Sequence, residues 1–218
     1  IVGIPSIGGA GVQDAGFFGY VNGGTIQNCS FTYADKATVT AWSCSGGVIG
    51  FANNGAVISN ISSSGGLIQT GGNGLRRAGG IIGAVDNATM EYLTNENVVD
   101  NCNIGGGIVG QIESRSSSIS YCTNNASITA NNQAGGIVGY ISSTAIILGS
   151  TNYGSISGNQ AGGIVANMAG GNIQGDGDFR TQNYGKVAAT TAAGGIVGVC
   201  MSTGNFSKLN NVADVTVN

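Results

Sequence analysis

Apolar residues in this chain gather in short clusters that return at a steady interval. The best-kept cluster reads Gly106-Gly107-Ile108-Val109-Gly110, and it recurs from Gly46, Gly79, Gly135, Gly162 and Gly194. Ala15-Gly16-Phe17-Phe18-Gly19 is a weaker first copy. The first positions of these copies lie 31, 33, 27, 29, 27 and 32 residues apart. A second shared stretch follows each cluster and is clearest in 119–128 and 147–156. Aligning its copies gives an asparagine column: Asn95, Asn124, Asn152, Asn183 and Asn210. No stretch keeps a period of about 3.6 residues, so helices are not expected.

A unit of 27–33 residues cannot bury its own apolar face, but stacked units can. The expected fold is all-β: a right-handed parallel β-helix, or β-solenoid, of about seven coils. It forms a single domain over residues 1–218, with roughly the first 45 and last 15 residues atypical as end coils. At about 4.8 Å per coil, the stack would be about 34 Å long. Each unit reads as a strand at the glycine cluster, a second strand, an asparagine-containing turn and a short third strand. Extra length is expected in 62–77, 34–44 and 170–177. The stacked asparagines are expected to bond from coil to coil as a structural ladder. The glycines are expected either at positive φ or where a Cβ would clash.

Strand alternation puts Ile137, Gly139 and Ile141 on one face. That face predicts a core of Ile81, Ile108, Ile137, Ile164 and Ile196, with Val85, Ile112, Ile141 and Met168. The other face also carries an apolar column: Phe18, Ile49, Ile82, Val109, Val138, Val165 and Val197. Tyr20, Phe51 and Tyr140 run beside it. Facing outward, such a column would be an interface with a neighbouring chain or domain. A bend at the motif would instead turn it inward.

Composition narrows the chemistry. Charged residues are only 8% and the net charge is −3, which disfavours nucleic acid as a partner. No apolar run is long enough to span a bilayer, so membrane insertion is not expected. The chain starts at Ile1 with no signal peptide, and so reads as a processed or excised piece. Histidine is absent and the cysteines have no C-x-x-C spacing, which argues against zinc. Cys29, Cys44, Cys102, Cys122 and Cys200 are expected as small buried residues, with a Cys29–Cys44 or Cys102–Cys122 bridge as the alternative.

Few charged groups remain as candidates for chemistry. Asp176 and Asp178, beside Arg180, offer two carboxylates and a weak calcium candidate; no other cofactor is expected. Glu113 with Arg115 reads as a surface pair, and Arg76-Arg77 as a solvated loop tip. Asp86, Glu91 and Glu96 are too dispersed for a catalytic pair. No nucleophile elbow, phosphate loop or zinc motif occurs, so no catalytic residue is assigned. Asn-x-Ser/Thr sequons at Asn28, Asn60, Asn87, Asn125 and Asn205 carry little information in so Asn- and Ser-rich a chain.

The pattern G-G-[IV]-[VI]-G, then I-x-x-C-x-N and S-I-x-G, resembles the GLUG repeat of large bacterial surface and secreted proteins. It covers nearly the whole chain and is clearest over 79–198. That family includes segments of IgA-specific metallopeptidases, whose activity sits in a separate zinc domain with a His-Glu-x-x-His motif that a chain without histidine cannot form. The resemblance implies an extracellular, secreted or cell-surface module, adhesin-like or stalk-like. The expected function is thus non-enzymatic: a structural or adhesive segment or filament subunit. Its partners would be a protein or glycan surface, or copies of itself, end to end or through the apolar face. The alternatives are an ice-binding protein, weakened by a Ser/Thr array that is broken by charge and bulk, and a carbohydrate-binding or carbohydrate-processing β-helix.

Overall fold

The computed structural model describes every residue except Ala10, Gly72, Asn73, Ser114, Arg115 and Ser202. The described residues form strands and turns and no helix. The named strands pair in parallel, and each residue meets its equivalent one repeat further on: Val138 pairs Val109 and Val165, and Ile147 pairs Ile119 and Ile173. The chain is therefore a β-solenoid of about seven turns. Its coils are numbered here from the motif starts: coil 1 is 15–45, coil 2 is 46–78, coil 3 is 79–105, coil 4 is 106–134, coil 5 is 135–161, coil 6 is 162–193 and coil 7 is 194–218. Ahead of coil 1, the strands Val2–Ile4 and Ile7–Gly8 and the residue Asp14 pair with it, as in Ile7 with Val39 and Asp14 with Cys44.

A central coil holds more segments than the three strands expected. Over 104–129 they are Ile104–Gly106, Val109–Ile112, Ser117–Ser120, Thr123–Asn124 and Ile128–Thr129. The difference arises inside the glycine cluster: its second glycine and first isoleucine form a bend, so two strands meet where one was expected. In coils 2 and 3 the later segments run together as Ile49–Thr70 and Ile82–Val99. Residues 62–70, expected within an insertion, thus belong to a regular strand.

The interior is built from stacked columns. Ile58, Met90, Ile119, Ile147 and Ile173 form one, and Ile68, Val99, Ile128, Ile156 and Val187 another, each residue at most 1% exposed. Each such side chain contributes about 1.5–3 kcal/mol by leaving water. Ile81, Ile108, Ile137 and Ile164 are fully buried, as are Val85, Ile112, Ile141 and Met168. Ile196 is only partly buried, because coil 7 is covered by coil 6 on one side alone. Neither Cys29–Cys44 nor Cys102–Cys122 is bridged; Cys44, Cys102 and Cys122 are buried thiols, Cys29 is half-buried and Cys200 is exposed.

Candidate functional site

Three features of the surface and bend bear on function. The first is the bend itself. Gly135 and Gly139 lie where its two flanking strands press together. A Cβ on Gly135 would come within 1.8 Å of the Val138 carbonyl oxygen, and one on Gly139 within 2.6 Å of that of Gly110. Between them, Gly136 points at Asn152 of its own coil, with room for a Cβ only 2.5 Å from the Asn152 Cγ and 2.0 Å from the Gly163 oxygen. Gly80, Gly107 and Gly163 meet Asn95, Asn124 and Asn183 in the same way. None of these glycines has positive φ, so close approach, not backbone freedom, selects them.

The asparagines form one ladder, buried from Asn95 to Asn183 and open to solvent at its last member. Asn95 donates to Asn124, Asn124 to Asn152, Asn152 to Asn183, and Asn183 to Asn211, each at 2.8 Å. The second amide hydrogen goes to the carbonyl two residues on, and the side-chain oxygen accepts from the amide there, as between Asn124 and Ala126. Every donor and acceptor of an internal member is used. The last member is Asn211, not Asn210: the pairing is Asn183 with Asn211, and Asn210 lies beside Gln182. Two adjacent asparagines had made the register ambiguous, and the inward-facing position decides it.

The bend also overturns the expected outward apolar column. Ile49, Ile82, Val109, Val138 and Val165 are completely buried within their own solenoid, and Val197 is half-buried. Alternation fixes sides only within one strand, and the motif holds the end of one strand and the start of another. The chain turns between Gly136 and Val138, and both Ile137 and Val138 leave solvent. Phe18 is 37% exposed because it lies at the first coil, where it packs edge-on against Phe17. Of the flanking residues, Tyr20 stacks on Phe51 at 5.7 Å and Tyr140 is half-buried, but the buried Ala84 and Gln111 separate them. No continuous apolar interface stands on this face.

The charged candidates land differently from expectation. Arg77 is no loop tip: it lies on Arg77–Gly79 and bridges the bend to Gln111 at 3.0 Å and to Glu113 at 3.0 Å. Arg115, the expected partner of Glu113, lies outside the described residues. Beside Arg77, burial raises the Asp14 carboxyl, against the pull of the Cys44 thiol and of Arg77. Burial also pushes Cys44 up to about 11, against the pull of Ser43 and Arg77, so this thiol stays protonated near neutrality. Asp86, Glu91 and Glu96 sit at three separate points along Ile82–Val99, pairing across to Asn53, Ser59 and Ser64. The Ser/Thr array continues as Thr129 and Ser157 but breaks at Ala188.

The third feature was not foreseen. Asn28, Asn60, Tyr92, Tyr121 and Gly149 stack at one corner, all left-handed, with φ between 52 and 58°. In coils 3 and 4 this corner projects two tyrosines whose rings stack at 5.2 Å and 16°. In coil 6 an insertion replaces it with a tight turn, Asp176 and Phe179 exchanging backbone bonds of 2.7 Å. Phe179 meets Tyr121 edge-on at 5.8 Å, and the Tyr121 hydroxyl donates to Asp176. That bond, above all, pushes the Tyr121 phenol up to about 12. The corner position in the repeat, Ile119-Ser120-Tyr121, was the signal available in the sequence. Asp176 and Asp178 line this groove, but no third acidic or sulfur ligand joins them among the described residues. No protein-family model, curated protein or solved structure matches the chain.

Proposed function

We propose that the chain is a non-enzymatic, extracellular structural and adhesive module, a rigid segment or subunit of a larger surface protein or filament. The observation that supports this most is how the interior is used. The polar groups of the asparagine ladder are spent on one another and on the adjacent backbone, and the apolar columns fill the rest of the coil. What remains for contact is the long lateral surface of a stiff rod. The resemblance to GLUG repeats supports the same reading.

Adhesion under flow tests it. Beads coated with the purified chain should hold, under shear, to at least one surface of a printed panel of glycans and extracellular proteins, and leave that surface chemically unchanged. Turnover of a panel saccharide or protein, or no retention on any surface, would contradict the reading.

A further inference from the structure

We propose that the groove between the Tyr92–Tyr121 stack and the turn at 176–179 binds a neutral oligosaccharide. This deepens the adhesive reading and rests on it. The groove is open on one side and spans about 670 Å³, and Tyr92, Tyr121, Phe179, Thr123, Thr151 and Asp178 supply most of its wall. That volume falls within the about 300–1,000 Å³ of ordinary ligand clefts.

The chemistry of the wall selects the ligand. It carries aromatic rings, hydroxyls and carboxylates, with no lysine, no arginine and no aliphatic side chain. An anionic ligand meets the Asp176 and Asp178 carboxylates, with the nearby Lys208 ammonium held on the Gly177 carbonyl, and an aliphatic peptide side chain meets no matching pocket. A sugar presents both things this wall accepts. Its C–H faces pack on the rings, and its hydroxyls donate to Asp178 and exchange bonds with Thr123 and Thr151. The tyrosine rings lie near-parallel with centroids 5.2 Å apart, wider than close face-to-face contact, so neither ring is sealed by the other. They come from adjacent coils, so the groove runs along the solenoid axis and offers a repeating wall to a repeating ligand.

The groove is also held in shape before any ligand arrives. Tyr121 ties to Asp176, and Lys208 Nζ donates to the Gly177 carbonyl at 3.0 Å. Gly149 leaves room for the Tyr121 ring, which a Cβ there would approach to 2.9 Å. Little ordering is then left to oppose binding. A cationic amine is the competing ligand, because rings and carboxylates attract it too. These rings stack along an open groove instead of surrounding a point, which favours an extended saccharide.

The test titrates the intact chain with cellotriose, maltotriose, mannotriose and chitotriose, and with a trigalacturonate and a chitosan trimer as anionic and cationic counterparts. At least one neutral trisaccharide should bind. The Tyr92→Asn/Tyr121→Asn double variant should bind it at least tenfold more weakly, and Asp178→Asn about threefold. Asn28 and Asn60 already occupy this corner at φ 58 and 52°, so the substitution keeps the turn, which circular dichroism checks. Tyr153→Ala, in the separate Tyr153–Tyr184 stack, should leave binding unchanged. The proposal is overturned if no neutral trisaccharide binds, if the cationic trimer binds tightest, or if the double variant binds as the parent does. Bead adhesion that persists in the double variant overturns the groove alone and leaves the adhesive reading standing.

Discussion

Coils 3–6 place an asparagine opposite the bend in every turn, whereas coils 1 and 2 place Phe31 and Ser63 there. In the central coils each asparagine completes its neighbour, so the polar interior is satisfied only while the series continues. Towards the first coil the series must stop, and two residues stop it. Asn97, whose backbone amide donates to Asn95 at 2.9 Å, turns the polar contacts aside: its side chain donates to Ser63 at 2.8 Å and to the Gly80 carbonyl at 2.9 Å and accepts from the Gly66 amide at 2.9 Å. Tyr33 then donates to the Gly47 carbonyl at 2.6 Å, and beyond it Phe31 packs against Phe17 at 5.0 Å. The lesson is that a buried polar ladder needs a terminator, and that an aromatic cluster can take the place of further asparagines.

The sharpest way to break this contrast is at a glycine. Gly136→Ala drives a Cβ into the Gly163 carbonyl and Asn152, with backbone on one side and a pinned side chain on the other. A loss above about 4 kcal/mol, or failure to fold, is expected. Gly11→Ala, where a Cβ would meet nothing within 4 Å, should change stability by less than about 0.5 kcal/mol. Urea unfolding of both variants checks the pair.

The ladder comes next. Asn152→Ala leaves buried groups of Asn124, Asn183 and Gly154 without partners, at about 1–3 kcal/mol each before relaxation. A net loss of about 3–5 kcal/mol is expected. Ser63→Ala removes one bond to Asn97 and should cost about 1 kcal/mol. Equal losses in the two variants would remove the distinction between centre and start.

The thiols leave the contrast untouched at neutral pH and act only in alkali. Burial raises Cys102 and Cys122 to about 12 and Cys44 to about 11, above the ordinary 9.0. Raised acids favour the fold while protonated. Their contribution is complete below pH 9 and is lost as pH climbs through about 11 and 12. Stability should therefore fall across that alkaline window, and less steeply in Cys102→Ala/Cys122→Ala. At neutral pH a thiol reagent followed by mass spectrometry should modify Cys200 first and Cys29 more slowly. The three buried thiols should react only on unfolding.

Much of the architecture was legible because the seven clusters repeat at nearly constant spacing, and spacing alone implies coils. The asparagine column was legible for the same reason, apart from the slip between Asn210 and its neighbour. The fate of Val138 was not, because alternation gives the side of a residue only within one strand, and the bend at Gly136 starts a new one. The role of the second glycine was hidden as well, since its partner, Asn152 for Gly136, lies 16 residues away in sequence. The Tyr92–Tyr121–Phe179 groove is not legible in the sequence because it needs an insertion in coil 6 to fold back over coil 4. No repeat alignment brings Phe179 to Tyr121.

The interlock of glycine with asparagine is the central claim, and Gly80 tests it most directly. All three of its closest obstacles are atoms of the Asn95 side chain, at 2.2–2.3 Å. A double-mutant cycle of Gly80→Ala and Asn95→Ala, read by urea unfolding, measures the coupling. The double variant should be more stable than the sum of the single losses predicts, by about 1–3 kcal/mol. Losses that add to within about 0.5 kcal/mol would contradict the account.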